Sequence, residues 1–380
     1  METKKYRFDE VTINFDKKRI PLSSAQREKR QGTFRYYGAQ GVIDHVDDYI
    51  FDGTYLLIAE DGENLKSKKQ NIAQVVDGQF WVNNHAHIVQ GNEQCDTRFL
   101  CYLINSMDLS GYVTGSAQPK LSQANLNAVT LSLPTLAEQK RIVEYLYMLD
   151  QKIDVNRQIN DNLEQQAQSY FQELFVDNAD PEWAIGTISD LGTVVGGSTP
   201  SKAKPEYYTE SGIAWITPKD LSINKSKFVS HGENDITELG LKNSSAAIMP
   251  EGTVLFSSRA PIGYIAIAAG EVTTNQGFKS VVPKPEIGTP FVYFFLKNTL
   301  PVIEGMASGS TFKEVSGSTM KNVPAVIPDA ETLAKFSDFC APIFAQQRIW
   351  EEQNQSLATL RDNLLPKLMS GEIDVSAVQL

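Results

Sequence analysis

The chain has 380 residues, of which 41% are hydrophobic and 21% charged, and its formal net charge is −11. This length suits two domains of ordinary size, and the composition is that of a globular protein rather than a fibrous or disordered one. The sequence offers no apolar run of eighteen residues and no secretory leader in METKKYRFDE, so we expect neither a membrane span nor export. The acidic balance argues mildly against a nucleic-acid partner, so any DNA contact must come from local basic loops.

The cysteines point to a reducing environment. Cys95, Cys101 and Cys340 are odd in number and include no CxxC pair. We therefore expect neither a disulfide framework nor a structural zinc site, and a cytoplasmic location fits best.

Residues 1–133 form the first predicted domain, a β-rich α+β region. Short β-branched and aromatic runs such as TYLLIAE (54–60) and FWVNNHAHIV (80–89) alternate with Gly, Asn, Asp and Ser. The loop 23–41 and the turn 66–69 concentrate positive charge beside tyrosines, a composition suited to DNA, although a solvated surface is the ordinary role of each basic residue alone. The candidate DNA-binding residues here are Arg27, Lys29, Arg30, Arg35, Tyr36, Tyr37, Lys66, Lys68 and Lys69.

Residues 134–178 follow as a predicted helical region. Apolar residues recur at alternating spacings of four and three, which is the pattern of a coiled-coil seam, and two asparagines within it would fix register. We expect the helix to break at Asp150, which would cap a long part of about 25 residues. The predicted seam residues are Leu149, Ile153, Asn156, Asn160, Leu163, Tyr170 and Leu174.

Residues 179–328 form the second predicted α+β domain. Its predicted strands include GIAWIT (212–217), GTVLFSS (252–258), YIAIAA (264–269) and KSVVP (279–283). Between them lie loops rich in hydroxyl, amide and basic side chains, which suit phosphate contacts and two-point hydrogen bonds to bases. The candidate DNA-binding residues here are Ser198, Thr199, Ser201, Lys202, Lys204, Lys219, Ser257, Ser258, Arg259, Asn275, Gln276 and Lys279.

Residues 329–380 form a second predicted helical region, which Pro342 would start at its first turn. We expect the two helices to pack on each other in antiparallel fashion. The alternative is that each amphipathic helix packs separately on its own domain. The predicted seam residues are Ile343, Trp350, Leu357, Leu364 and Leu368.

The chain also repeats itself at a shift of 194 residues. Gly115 falls on Gly309, Val129 on Val323 and Pro134 on Pro328, in the same order of Gly-Ser loop, short strand and long helix. A shared order over about sixty residues indicates an internal duplication. The fold class predicted is thus α+β, with two β-rich α+β domains joined by two long antiparallel coiled-coil helices in a pseudo-twofold repeat.

Enzyme motifs are missing from the sequence. VGGSTPSK lacks the GxxxxGK[ST] spacing of a phosphate-binding loop, and Pro200 removes a backbone donor. His85 and His87 share one side of a predicted strand but have no third ligand at a suitable spacing. We therefore predict no catalytic residue and no metal site.

Five stretches, in order, resemble one known family. The stretches are FRYYGAQGVIDHVDDYIFDGTYLLIAEDGENL, LPTLAEQKRIVEYLYMLDQKIDVNRQI, VGGSTPSKAKPEYY with GIAWITPKDL, TTNQGFKS and LRDNLLPKLMSGEIDV. Together they are similar to the specificity (S) subunit of type I restriction-modification systems. The resemblance covers essentially the whole chain.

The resemblance implies a function without catalysis. Two target recognition domains would each bind half of a split DNA sequence, and the helical regions would set their spacing. Methyltransferase subunits would dock around the helices and restriction subunits would join them, with S-adenosylmethionine and ATP held by those partners and no cofactor in this chain. Because the second copy has ETLAKFSDF where the first has AEQKRIVEY, the two docking surfaces need not be equivalent. Two alternatives stay open: a recognition subunit of a related enzyme outside type I, and a coiled-coil scaffold with no DNA role.

Overall fold

The computed structural model describes residues 2–67, 70–115, 118–309 and 313–373. The chain divides into two units, of which unit 1 comprises residues 1–153 and 356–380 and unit 2 comprises residues 154–355. Each unit therefore contains one globular region and one segment from each of two long helices. Within the described ranges, no helix combines the length and the apolar character needed to cross a membrane.

The globular region of unit 1 is built from antiparallel and mixed sheets. One sheet has the order β2-β9-β6-β7, and a second has the order β4-β3-β8-β5, with β3 and β8 parallel. A short ribbon pairs β1 with β10 just before the first long helix. The strands are β1 (Lys4–Arg7), β2 (Thr12–Asn14), β3 (Gln31–Gly38), β4 (Gly41–Val46), β5 (Phe51–Asp52), β6 (Tyr55–Ala59), β7 (Ala73–Val76), β8 (Gln79–Val82), β9 (Ala86–Gly91) and β10 (Thr130–Leu133), and the helices are α1 (Ser24–Glu28), α2 (Asn64–Ser67), α3 (Thr97–Ser106), α4 (Gln123–Asn127) and α5 (Leu136–Gln172).

Unit 2 repeats this plan with a larger sheet. Its sheets have the orders β12-β20-β17-β18-β15 and β13-β16-β14-β19, and a ribbon again pairs its first strand, β11, with its last, β21. The strands are β11 (Ala184–Thr187), β12 (Gly192–Gly196), β13 (Tyr208–Thr209), β14 (Ile213–Ile216), β15 (Phe228–Val229), β16 (Asn234–Ile236), β17 (Val254–Ser258), β18 (Ile262–Ala268), β19 (Thr273–Thr274), β20 (Lys279–Pro283) and β21 (Pro324–Ile327), and the helices are α6 (Ile188–Leu191), α7 (Pro218–Ile223), α8 (Glu238–Lys242), α9 (Thr289–Met306), α10 (Gly317–Lys321) and α11 (Ala330–Ser370).

The predicted strands are largely confirmed. KSVVP coincides with β20, and GIAWIT, GTVLFSS and TYLLIAE each contain one strand. FWVNNHAHIV is instead two strands, because Asn83 accepts a hydrogen bond from the His85 backbone N–H and turns the chain between β8 and β9. His85 and His87 consequently do not share one strand face.

The two long helices run without the breaks expected from the sequence. α5 spans 37 residues and α11 spans 41, and both Asp150 and Pro342 lie inside them. The expectation of a cap at Asp150 is wrong because its carboxylate binds the Tyr102 hydroxyl at 2.5 Å and Arg361 at 2.7 Å instead of helix N–H groups. Pro342 costs α11 one backbone hydrogen bond, but buried Cys340 and Ile343 on either side of it hold the helix against the core.

Within each unit the segments of α5 and α11 pack in antiparallel fashion, as predicted. In unit 1, Asp150 contacts Arg361, and the core that contains Ile142 and Leu146 also contains Leu368. In unit 2, residues further along α5 contact residues that come earlier in α11. Asn156 contacts Gln353 and Asn354, Asn160 contacts Gln347, and the rings of Tyr170 and Phe339 are 4.5 Å apart.

Every predicted seam residue is buried or half-buried. Ile153, Asn156, Ile343 and Leu368 are buried. The half-buried seam residues are Leu149, Asn160, Leu163, Tyr170, Leu174, Trp350, Leu357 and Leu364. The alternative in which each helix packs on its own domain is therefore not what the structure shows.

The duplication predicted from the sequence holds at the level of the backbone. α4 and α10, β10 and β21, and the starts of α5 and α11 are each offset by the same 194 residues. Ser122 and Ser316 both cap the short helix that follows them. Isolated bridges also recur at Thr114–Lys120 and Ser308–Glu314. The repeat thus extends to hydrogen bonds that the sequence identity alone does not reveal.

A buried charged cluster attaches the globular region of unit 2 to its helices. The Lys227 side chain is 6% exposed, and its Nζ lies 2.8 Å from Glu164 Oε2 on α5 and 3.4 Å from the centroid of the Phe344 ring on α11. Lys297 on α9 lies 2.5 Å from the other oxygen of Glu164. Burial works to raise the pKa of Glu164, but the two ammonium groups lower it to about 2. Burial lowers the pKa of Lys227 to about 8, against the opposing effect of Glu164.

Substitution of Glu164 by Gln should destabilise unit 2 by about 3 kcal/mol at neutral pH, because it leaves the buried Lys227 ammonium without its counter-charge. The folded pKa of Glu164 lies below its unfolded value, so its contribution is complete above about pH 4.5 and is lost as the pH falls towards about 2. Denaturant unfolding of both proteins across this range should show the difference shrink. Glu352→Gln, which removes a surface partner of Arg348, should cost less than about 1 kcal/mol; equal losses for the two variants would contradict the buried-pair argument.

Candidate nucleic-acid interface

The loop 195–204 of unit 2 is fixed to two other segments of the same unit. The Ser198 backbone N–H donates to the Thr274 carbonyl at 2.9 Å, and the Trp215 indole N–H donates to the Ser198 carbonyl at 3.0 Å. The loop after β12 is thereby held between the end of β14 and the turn that joins β19 to β20. Three stretches that are far apart in the sequence meet at this point.

Gly197 explains why this loop needs glycine. A Cβ at this position would lie 2.0 Å from the Asn275 carbonyl oxygen and 2.4 Å from that of Thr274. Both obstacles are backbone atoms, so they cannot move aside as a flexible side chain would. The glycine permits a close approach of two backbones, which is one of the uses of the residue, and it is not part of a phosphate cradle.

The turn 275–279 presents one amide side chain to the surface. Asn275 Oδ1 accepts the Gly277 backbone N–H at 2.8 Å, so this side chain forms the turn itself. Gln276 is exposed, and its side-chain oxygen accepts a hydrogen bond from the Thr199 hydroxyl. In the described part of the chain no contact uses the Gln276 NH₂ group, which leaves it available to an acceptor.

Arg259 lies beside this turn, immediately after β17. Its guanidinium is 3.4 Å from Glu314, and the Lys279 ammonium is 3.9 Å from the other oxygen of the same carboxylate. The next residue, Ala260, has a φ of 52°, a left-handed conformation that is costly for a residue with a Cβ. Such strain concentrates at functional sites.

The serines of FSSRAPIG do not reach the surface. Ser257 and Ser258 are fully buried. The Ser257 hydroxyl donates to the Pro261 carbonyl and accepts the Tyr264 N–H, and the Ser258 hydroxyl donates to the Gly277 carbonyl. These hydroxyls build the loops and are not accessible to DNA, so neither serine belongs to the exposed surface.

The outer part of the loop 195–204 is exposed. Ser201, Lys202 and Lys204 face solvent, and the Lys204 ammonium lies 5.3 Å from the centroid of the Tyr207 ring. Lys202 has no ion pair with any of the described residues. Lys219, at the start of α7, is paired with Glu233.

The basic loop of unit 1 carries less free charge than its sequence indicates. Arg27 binds Asp44 at 2.8 Å, and Arg30 binds Asp47 at 2.8 Å. Arg35 donates to the Asp77 carbonyl at 2.7 Å. The expectation that this loop concentrates positive charge for DNA is therefore wrong for Arg27 and Arg30, because carboxylates from β4 and the loop after it neutralise them.

The tyrosines of the same loop belong to the interior. Tyr36 is fully buried and Tyr37 is 4% exposed, and the Arg27 and Arg35 guanidinium groups lie over their rings. The Tyr36 hydroxyl accepts the Leu22 N–H at 2.8 Å. Neither ring is available to stack on a base.

The remaining basic residues of unit 1 are dispersed. Lys29 is exposed at the end of α1, and the Lys66 ammonium donates to the Gly115 carbonyl at 2.7 Å. Lys68 and Lys69 lie outside the described residues. Among the described residues, the Lys66 side chain thus binds a backbone carbonyl and not another candidate residue.

The two histidines of NNHAH each bind an aspartate. His85 Nδ1 lies 2.7 Å from Asp61, and buried His87 contacts the Asp16 carboxylate at 2.6 Å and the Leu121 carbonyl at 2.8 Å. Burial works to raise the pKa of Asp16, but its hydrogen bonds to His87 and the Ile88 N–H lower it below the usual value. No group of three possible metal-binding side chains occurs among the described residues.

A network around Glu60 was not foreseen from the sequence. Arg19 binds Glu60 at 2.8 Å, and Lys120 binds the other oxygen of the same carboxylate at 3.1 Å. The three residues are far apart along the chain, and no local spacing signals their meeting.

The comparisons with known proteins identify the family. The model of the type I restriction modification DNA specificity domain matches residues 2–165 and again residues 181–364. The chain belongs to this family. Two consecutive matches also agree with the internal duplication seen in the backbone.

Individual relatives carry the same name. The chain is 41% identical to the type I restriction enzyme MjaIX specificity subunit of Methanocaldococcus jannaschii over 169 residues, which are 44% of this chain and 39% of that protein. It is 24% identical to the type I restriction enzyme HindI specificity subunit of Haemophilus influenzae, over 85% of this chain and 84% of that protein. A solved structure, the S subunit of a type I restriction-modification system from M. genitalium, matches with a TM-score of 0.57 at 16% identity, over 97% of this chain and 96% of that one. This last likeness supports the fold of the family.

Substitution of Gly197 by Ala should disrupt the meeting of the loops in unit 2, because the new Cβ would collide with two backbone oxygens. We expect a loss of about 2 kcal/mol or more in the free energy of unfolding and a changed near-ultraviolet circular dichroism signal from Trp215. Gly270→Ala is the matched control, since a Cβ there meets nothing within 4 Å. Similar stability for the two variants would show that the close approach at Gly197 does not hold the loops together.

Proposed function

We propose that this chain is the DNA specificity subunit of a type I restriction-modification complex. The observation that carries the proposal is the meeting of separate loops in unit 2, where Thr199 contacts the exposed Gln276 and where Arg259 and Lys279 both face Glu314. The exposed Lys202 belongs to the same loop as Thr199. Ammonium and guanidinium groups bind phosphates, and a glutamine amide can form a two-point hydrogen bond with adenine. A surface with both kinds of group can hold a duplex and distinguish its sequence.

The two globular regions would each recognise one half of a bipartite target. Residues 1–133 and 179–328 are the proposed recognition domains, and residues 134–178 and 329–380 are the proposed helical regions that set the spacing of the half-sites. The duplicated backbone register supports two equivalent roles. The different surface residues of the two regions support two different half-sites.

The helices would also dock the methyltransferase subunits, with the restriction subunits joining that assembly. On the unit 2 segment, a face with amide and hydroxyl side chains borders the exposed Phe339, which is 39% exposed, and the half-buried Tyr170. The amide and hydroxyl residues of this face are Asn162, Gln165, Gln166 and Ser169. A mixed aromatic and polar surface of this kind is typical of protein interfaces.

We further propose that the chain itself has no catalytic role and no cofactor. S-adenosylmethionine would be bound by the methyltransferase subunits and ATP by the restriction subunits, and the complex would act in the cytoplasm. The cysteines support the absence of a nucleophile, because burial raises the pKa of Cys95, Cys101 and Cys340 to about 12. A thiol with such a pKa supplies almost no thiolate at neutral pH.

Methylation of the genome should depend on this chain in a bipartite pattern. Mapping of methylated bases in cells with and without the gene should reveal one split motif that disappears on deletion. Exchange of residues 179–328 for the equivalent domain of a relative should change one half of the motif and preserve the other. An unchanged methylation map after deletion would rule out the proposed function and favour a scaffold without a DNA role, whereas the partner genes would distinguish type I from a related system.

Substitution of both Lys202 and Lys204 by Ala should weaken DNA binding and reduce its salt dependence. Each lost phosphate contact lowers the slope of log K against log salt by about 0.9, so the double variant should lose about 2. Fluorescence anisotropy of the full chain with a labelled duplex measures both quantities.

Lys284→Ala with Lys335→Ala is the matched control for this pair, because both residues are exposed on unit 2 and lie outside the loops of the interface. The control should keep the original slope. An equal change in both double variants would mean that the loop 195–204 contributes only general surface charge.

A further inference from the structure

The duplicated backbone allows a residue-by-residue comparison of one ion-pair position in the two units. Lys120 and Glu314 are equivalent, since both close the bridges Thr114–Lys120 and Ser308–Glu314 at the repeat offset. The residue after each, Leu121 or Val315, donates its N–H to the carbonyl at the end of a core strand, that of Glu60 or Ser258. Glu60 directly follows β6, and Arg259 directly follows β17. By these hydrogen bonds Glu60 is the counterpart of Ser258, so Arg259 lies one residue further along the chain than Glu60. The pairs Glu60–Lys120 and Arg259–Glu314 thus occupy the same corner of the repeat, with the charge on the bridge residue reversed.

In unit 1 this position is a closed structural network. Glu60 is 14% exposed and is held by Arg19 at 2.8 Å and by Lys120 at 3.1 Å, and Arg19 also reaches Asp16. The Arg19 guanidinium donates further to the Ala86 carbonyl at 2.9 Å. These groups satisfy one another at short distances and leave no charge in excess for a ligand.

In unit 2 the same position is open and carries an excess of positive charge. The single carboxylate of Glu314 faces both Arg259 at 3.4 Å and Lys279 at 3.9 Å. The side chains of Arg259 and Glu314 are 38% and 39% exposed, and that of Lys279 is 16% exposed. Burial, aided by the nearby Arg259, lowers the pKa of Lys279 in spite of Glu314, so the two cations are in each other's field. The Arg259–Glu314 pair is long and partly exposed, and surface ion pairs of this kind contribute little stability.

We propose that Arg259 and Lys279 form the binding site for one backbone phosphate of DNA, and that the Glu314 carboxylate occupies this site until the phosphate displaces it. The inference rests on the proposed function and adds a residue that opposes binding. A phosphate offers more acceptor oxygens than a carboxylate and forms charge-assisted bonds with both cations, so it is the stronger ligand. The site adjoins Gln276, whose backbone carbonyl oxygen accepts a hydrogen bond from the Lys279 ammonium at 3.3 Å. A phosphate held there would therefore set the position of a base-contacting side chain.

The role of Glu314 under this proposal is to reduce binding to DNA of arbitrary sequence. Its carboxylate neutralises part of the site in the free protein and repels the DNA backbone during an encounter. A correct half-site compensates for its displacement through base contacts, whereas an arbitrary duplex does not. Discrimination between the two is thereby increased at some cost in affinity.

The test is the affinity of the full chain for a labelled duplex of arbitrary sequence, measured by fluorescence anisotropy at several salt concentrations. Glu314→Gln should increase this affinity roughly threefold or more at low salt, because it removes the competing charge. The increase should disappear when Arg259→Ala is added, since the phosphate site is then incomplete. Circular dichroism and thermal unfolding of each variant establish that the fold is retained.

Glu286→Gln is the matched control. Glu286 is exposed and follows the C-terminal end of β20, whereas Lys279 begins that strand. The substitution therefore removes the same charge from the same unit without changing the site. An equal gain for Glu286→Gln and Glu314→Gln, or a gain for Glu314→Gln that persists with Arg259→Ala, would overturn the inference. If that happened while the bipartite methylation pattern still depended on the gene, the proposed function would stand and only the displaced-carboxylate site would fail; loss of both would remove the proposed function as well.

Discussion

The buried amide and charged side chains between the two long helices constrain the rest of unit 2. Asn156 donates to Gln353 and Asn354, while the side chains of Gln347 and Asn160 each donate to the other residue's backbone carbonyl. A shift of α11 by one residue would separate these partners and leave buried donors without acceptors, which costs more than an apolar mismatch. The same layer also holds Lys227, whose ammonium binds Gln347 as well as Glu164. The register of the helices and the attachment of the β-sheet are therefore determined by one set of hydrogen bonds.

The duplication preserves backbone geometry and changes side-chain chemistry. The short helices α4 and α10 and the strands β10 and β21 keep the same offset, and β1 and β11 pair with those strands in the same register, because capping and strand pairing depend on a few hydroxyls and on backbone groups. The attachment of each globular region to the helices has diverged. Unit 1 uses Tyr102, Asp150 and Arg361, and unit 2 uses the cluster around Glu164. Equivalent folds can thus carry different surfaces, which is what two recognition domains for different half-sites require.

Local patterns predicted the regular structure well, and long-range charge pairing poorly. The strand β20 and the seam positions follow from periods of two and of three to four residues, which are properties of neighbouring side chains. The neutralisation of Arg27 and Arg30 depends on carboxylates seventeen residues further along the chain, which only strand pairing brings close. The burial of Ser257 and Ser258 was equally invisible, since a loop hydroxyl has the same sequence signature whether it faces solvent or a neighbouring carbonyl. The continuous helices likewise depend on contacts, at Asp150 with Tyr102 and at Pro342 with the core, that override local preference.

The acidic composition and the paired arginines have a common consequence for DNA recognition. A protein with a net charge of −11 and with Arg27 and Arg30 already bound to aspartates offers few unpaired cations to an arbitrary duplex. Non-specific affinity is mainly a matter of phosphate neutralisation, so under the proposed function it would be low, and base contacts would contribute a correspondingly larger part of the total affinity. The exposed residues of the unit 2 loops would then carry most of the attraction. Ser198, Thr274 and Trp215 fix those loops to one another. Under the proposed function the loop charges would therefore be held at set positions relative to Gln276, and attraction would be coupled to recognition.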